Sequence, residues 1–213
     1  MQYGIIQRFI SQNRSYENLN SSGCVVHETA DAGATAEKET EYFNEDYRGA
    51  SAHAFVDWTM IVQNIPWDEV AWHAGPTTNS MFWGIELCRP RNHDPVKFNA
   101  VWKKGVWLFA YLFTKVANPQ ITEVTKLNLM SHAETSDTWN ETDHRYPDAY
   151  FAEYGLNVDD FRNAVQECIK TGNIYDVASG GSMSMLKPSI DYEEKYKYLL
   201  SELKELVNKY SNP

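Results

Sequence analysis

The stretch Met81-Phe82-Trp83-Gly84-Ile85-Glu86-Leu87-Cys88 constrains this chain most, because it reads as a strand that is apolar on both faces except at Glu86. A lone carboxylate there is costly unless it has a partner. Further strands are expected at Cys24–Thr29, and at Ser51–Asp57 and Met60–Pro66, whose tight connection makes a hairpin. Another spans Val124 to Met130. Helices are expected from Thr35 to Asn44, with acidic residues early, and from Pro95 to Val116, where Phe98, Val101, Trp102, Val106, Phe109 and Phe113 recur at three- and four-residue steps. Asn157 and Asp160 resemble an N-terminal cap for a third helix, which carries Phe161, Val165 and Ile169 and ends near Gly172. Strands alternating with helices in this way imply an α/β chain with a central mixed sheet flanked by helices.

The bounds agree with one such domain. A chain of 213 residues, 43% hydrophobic and 14% aromatic, can bury a sizeable core. Its formal charge of −10 leaves no basic stripe to neutralise phosphates, which excludes nucleic acid as the expected partner. Cys24, Cys88 and Cys168 are odd in number, lack framework spacing and sit in apolar contexts, so they are expected to be buried free thiols. The N-terminus shows no signal-peptide pattern, and no window approaches the ~20 apolar residues of a membrane span. Residues up to Ser22 are expected to be a leader docked on the core. Residues 1–177 are read as the main domain and 178–188 as a linker. Residues 189–213 are read as a C-terminal amphipathic helix, because Tyr192, Tyr196, Leu199, Leu203, Leu206 and Tyr210 step by four and three. That helix is open to docking on its own domain, to pairing with a second copy as a homodimer, or to beginning a further binding region.

Histidines end two of these strands: His27 in Val25-Val26-His27-Glu28 and His132 in Leu129-Met130-Ser131-His132. A single strand-end histidine is more often a surface or core residue than a ligand. Two of them, far apart in sequence, suggest a metal site assembled by a sheet. The stretch from Thr135 to Arg145 reads as a polar loop able to add a third ligand and a second histidine, His144. Glu86 would supply an acid–base group, so together these residues fit a hydrolytic zinc centre. His53 lies on a half-buried strand face and His93 in a polar loop, while His73 is placed to line a groove.

Six separated strings, namely Val26-His27-Glu28-Thr29-Ala30, Ser51-Ala52-His53, Ala71-Trp72-His73-Ala74-Gly75, Gly84-Ile85-Glu86-Leu87, Ser131-His132-Ala133-Glu134 and Thr142-Asp143-His144 with Pro147, occur here in the order seen in zinc-dependent N-acetylmuramoyl-L-alanine amidases. The chain resembles that family, which includes phage lysozymes of the amidase type, the pneumococcal autolysin and peptidoglycan recognition proteins, from Gly23 to Gly172. The resemblance implies a zinc ion in a surface groove of residues 1–177. By it, His27 and His132 are zinc ligands, Glu86 is a catalytic carboxylate acting through water, His144 stabilises the oxyanion, and Trp72 lines the groove for glycan and stem peptide.

One position departs from the family. An Asp or Cys is expected just before the proline, and Tyr146 stands there. Asp148, two residues on, would project to the same side of an extended loop and is the preferred third ligand, since carboxylate oxygen is an ordinary zinc donor. The alternative is Tyr146 through its phenolate, formed from a phenol of unperturbed pKa about 10. The reaction so implied is hydrolysis of the amide between N-acetylmuramic acid and L-alanine in bacterial peptidoglycan. The competing expectation is a peptidoglycan-binding module of the same fold with an impaired zinc site. Without a signal-peptide pattern, the enzyme is expected to be a phage endolysin held in the host cytoplasm until release to the cell wall, with an autolysin or a tail-associated enzyme as the alternatives.

Overall fold

The computed structural model describes residues 3–175. The expected linker and C-terminal amphipathic helix lie outside the described residues. Among the described residues six strands form one mixed sheet, β1 (Ile5–Gln7), β2 (Gly23–Glu28), β3 (Ala54–Val56), β4 (Ile61–Gln63), β5 (Phe82–Leu87) and β6 (Leu129–Ser131), in the order β1-β4-β3-β5-β2-β6. Of these strands only β3 and β4 pair antiparallel, as the expected hairpin; the other neighbours are parallel. The leader contributes β1, which pairs with β4 at the sheet edge.

Alternation along the strands divides the two faces. One face carries Val26, Val56, Ile61, Ile85 and Leu87, and packs under α3 (Pro95–Tyr111) and α6 (Val158–Thr171) to form the main core with Phe98, Trp102, Phe109, Phe151 and Phe161. A π-helical turn, Leu112–Val116, extends α3, so the two together span the expected helix. Capping fixes α6 as the sequence indicates: Asn157 and Asp160 form a reciprocal capping box, and Gly172 ends the helix at φ 73°.

On the other face, α1 (Ala36–Glu45), capped by Thr35, covers Phe55, Val62 and Cys88. Val25, Phe82 and Met130 pack there against Trp139 of α4 (His132–Trp139). Between α1 and α4 the sheet surface is left open as a cleft. All three cysteines are buried free thiols. No helix among the described residues is long and apolar enough to cross a membrane.

Four elements depart from expectation. The strand before His132 is only Leu129–Ser131, and a helix that starts at His132 takes in the first five residues of the expected polar loop, Thr135 to Trp139. The reason is a capping box: Ser131 Oγ accepts from the Glu134 N–H at 3.1 Å and Glu134 Oε2 accepts from the Ser131 N–H at 2.8 Å. Two short helices, α2 (Pro76–Asn79) and α5 (Asp148–Ala152), also went unexpected, each starting at or next to a proline.

Candidate metal centre

Strand register builds the centre of the cleft. Val62 faces Phe55, Phe55 faces Glu86, and Glu86 faces His27, so one row of side chains crosses the sheet. The first two lie under α1, whereas Glu86 and His27 emerge where the helix no longer covers them. His132, the first residue of α4, comes in from β6 beside β2. Arg162 holds that junction: it donates to the Leu129 carbonyl at 2.8 Å, pairs with Glu134 of the capping box, and meets Asp159 at 2.6 Å.

His27 Nδ1 and His132 Nδ1 approach to 3.0 Å. The far nitrogens decide what lies between them. His73 Nε2–H donates to the Phe82 carbonyl at 3.0 Å, which leaves His73 Nδ1 as the acceptor for His27 Nε2–H, also at 3.0 Å. His132 Nε2–H donates to Thr142 Oγ1 at 2.9 Å. Thr142 then donates to Ser136 Oγ at 2.8 Å, and Ser136 donates to the His144 carbonyl at 3.0 Å. With a proton on both Nε2 atoms, both Nδ1 atoms are bare, and two lone pairs face each other. Two imidazole nitrogens on one tetrahedral zinc ion stand about 3.3 Å apart, given Zn–N bonds of about 2.0–2.1 Å. The pair therefore fits a shared cation, with outer hydrogen bonds that fix each tautomer.

Electrostatics agree. Burial first, then the imidazoles of His132, His73, His144 and His53, holds His27 well below the ordinary histidine range. His132 is lowered to about 4 by burial and then by His144 and His73, so both rings are neutral at neutral pH. Burial lifts Glu86 to about 8, assisted by Glu39 and Glu28. Its Oε1 lies 4.0 Å from His27 Nδ1, and its Oε2 has no hydrogen-bond partner.

A glycine makes the arrangement possible. Gly84 shares the cleft face with Glu86, and a Cβ there would stand 2.3 Å from His73 Cγ, so only a bare backbone lets His73 lie on the sheet behind His27. His53 plays a separate part. Its Nε2–H donates to the Glu69 carbonyl at 2.9 Å and its Nδ1 accepts from the Gly84 N–H at 3.0 Å, which locks β5 in place.

The cleft has a volume of about 440 Å³; His27, His73, Glu86, His132, His144 and Tyr146 line one end, and Glu39, Tyr42 and Phe43 of α1 the other. His144 is exposed, with its ring 5.1 Å from that of His132 and stacked on Tyr146 at 5.4 Å. Two expected site residues lie elsewhere. Asp148 opens α5 on the exposed surface, in the field of Glu134 and Arg145, and does not line the cleft. Trp72 does not line it either; its ring meets Tyr47 edge-on at 6.2 Å. Among the described residues, no three His, Cys, Asp or Glu side chains gather closely enough to hold a metal by themselves.

The fold and the histidine pair define a mixed-sheet α/β protein with a histidine-lined cleft, and comparison supplies its family. Residues 17–147 match the model described as N-acetylmuramoyl-L-alanine amidase, and the chain belongs to that family. Protein Ami of Listeria monocytogenes is 31% identical over 150 residues, which cover 70% of this chain and 16% of Ami. The chain thus spans about a sixth of that relative's length. Among solved structures, the hydrolase AmiA of Staphylococcus aureus, in complex with its ligand, superposes with a TM-score of 0.66 at 23% identity, over 83% of this chain and 89% of AmiA, a likeness of fold. A mutant endolysin from Bacillus subtilis gives 0.61 at 26% identity, over 77% of this chain and 99% of its own.

Proposed function

We propose that this chain is a zinc-dependent peptidoglycan hydrolase that cleaves the amide between the lactyl carbonyl of N-acetylmuramic acid and the amine of L-alanine. The observation that carries this reading is the pair of bare Nδ1 atoms of His27 and His132, 3.0 Å apart in the cleft of an amidase-family fold. Zinc held by them would supply a Lewis acid and lower the pKa of water towards ~7.

The chain's own residues divide the rest of the chemistry. Glu86 accepts the proton of the attacking water and returns it to the leaving amine, the usual assignment for a carboxylate with a raised pKa. A cation bound beside it would act in the opposite direction, towards the carboxylate form. His144, on the open rim beside His132, donates a hydrogen bond to the carbonyl oxygen as charge develops there. His73 and Thr142 keep the two ligand rings in the tautomer that leaves Nδ1 free. Of the two side chains weighed as a third ligand, we assign Tyr146, because it lines the cleft and Asp148 does not. Likeness to the Bacillus subtilis endolysin supports the narrower reading of a phage endolysin that meets the wall on release from the host cytoplasm.

The test is product analysis of purified cell walls after digestion. The expected products are new N-terminal L-alanine amines and no new reducing sugars, lost with a chelator and restored by zinc. Wall binding without new amines would replace the hydrolase by a non-cutting module of the same fold.

A further inference from the structure

A second unmet demand for charge lies on the α1 side of the cleft. Glu39 is only 8% exposed, yet its Oε1 is buried without a hydrogen-bond donor. It lines the same cleft as Glu86, whose Oε2 is also without a donor, and it is the charged group that acts most strongly on Glu86. Exposed Asp31 adds a further negative charge and exposed Lys38 a positive one, while Phe43 and Phe55 form the apolar wall. Glu28 also lines the cleft and also leaves one oxygen, Oε2, without a donor, but its Oε1 already stands 3.4 Å from the Arg89 guanidinium. A buried carboxylate oxygen is expected to have a donor, and an orphan on a residue that lines a cleft asks for one from a ligand seated there.

We propose that Glu39 forms a subsite for a primary ammonium group carried by the substrate. An ammonium offers three N–H donors from one small cation and needs no coordination sphere, in keeping with the lack of a third gathered metal donor among the described residues. The apolar wall strengthens such a charge-assisted bond. The inference rests on the peptidoglycan reading and deepens it: the group recognised is the side-chain amine of a diamino acid in the stem peptide. The same chemistry is available from a deacetylated glucosamine of the glycan.

Titration calorimetry on the full-length zinc-loaded chain at pH 8 separates these sources. The probes are the peptide L-Ala-D-Glu-L-Lys, which has no bond for the enzyme to cut, its Nε-acetylated form, and chitobiose with free or acetylated amines. The free lysine peptide is expected to bind at least about tenfold more tightly than its acetylated form. Glu39→Gln, which keeps the side chain's volume, should erase that advantage without weakening the acetylated peptide, and Glu39→Asp should keep part of it. An amine advantage seen only with chitobiose, and lost in Glu39→Gln, would keep the subsite and move its source to the glycan. Equal affinity for free and acetylated forms of both probes, or an advantage that survives Glu39→Gln, would overturn the subsite. If neither probe shows an amine advantage while walls are still cut, only the subsite falls; if walls are not cut at all, the hydrolase reading falls by its own assay.

Discussion

His27 and Glu86 occupy the same register position on the neighbouring parallel strands β2 and β5, so imidazole and carboxylate emerge side by side on the cleft face, 4.0 Å apart at their nearest polar atoms. Parallel pairing fixes that distance more firmly than a loop would. Glu86→Gln should therefore reduce wall hydrolysis by about two to four orders of magnitude while zinc content stays near wild type. Steady-state release of L-alanine amines, with metal analysis of the same samples, checks it. Hydrolysis within a fewfold of wild type would remove Glu86 from the proton transfer.

Thr142 is assigned no contact with substrate, yet it accepts the His132 Nε2–H at 2.9 Å. Thr142→Val keeps the shape and deletes the acceptor, so His132 is freed to take the other tautomer. Zinc affinity should fall by about 10–100-fold, read by competition with a zinc-binding dye. Unchanged affinity would mean that the hydroxyl does not set the ring.

Tyr146 and Asp148 make opposite predictions. Asp148 stands outside the cleft, so Asp148→Ala should leave zinc affinity within about twofold, while Tyr146→Phe, which deletes only the hydroxyl, should weaken it by about tenfold or more. The same dye competition decides. The reverse pattern would restore Asp148 as the ligand through a rearranged loop.

Much of the fold was legible because its signals are local. The alternation in β3 and β4, the Asn157–Asp160 cap of α6 and the apolar face of α3 are short-range patterns, and each produced the expected element. His27, His132 and Glu86 were legible as strand-end or strand residues whose chemistry did not suit a bland core. The Ser131–Glu134 box was equally present in the sequence, but the hydroxyls and carboxylates after it resembled a loop. What could not be read depends on contacts between distant segments. His73 reaches its place only because Gly84, eleven residues on, lacks a Cβ, and Glu39 is buried by the way α1 lies on the sheet. Asp148 was expected to project with Tyr146 from an extended loop, but a helix begins at Asp148, and Tyr146 lines the cleft where Asp148 does not.

Glu39 also predicts a pH dependence. Burial, then Asp31, raises its carboxyl from 4.5 to about 7, so the folded state holds this proton more tightly than the unfolded chain. Its stabilising contribution is complete below about pH 4.5 and is lost as pH rises through about 7. Glu39→Gln should thus match wild type near pH 4.5 and exceed it by about 2–3 kcal/mol at pH 8, in urea unfolding of the metal-free proteins. A constant difference across that range would show that the carboxyl is not held protonated.

The central claim is that His27 and His132 share one zinc ion through Nδ1. Zinc bound per chain, measured after exhaustive dialysis of wild type, His27→Ala and His132→Ala at equal concentration, tests it most directly. We predict about one zinc per wild-type chain and less than about a tenth of that in either variant, since each replacement removes one of the two nitrogens that meet in the cleft. Full retention of zinc in either variant would contradict the account.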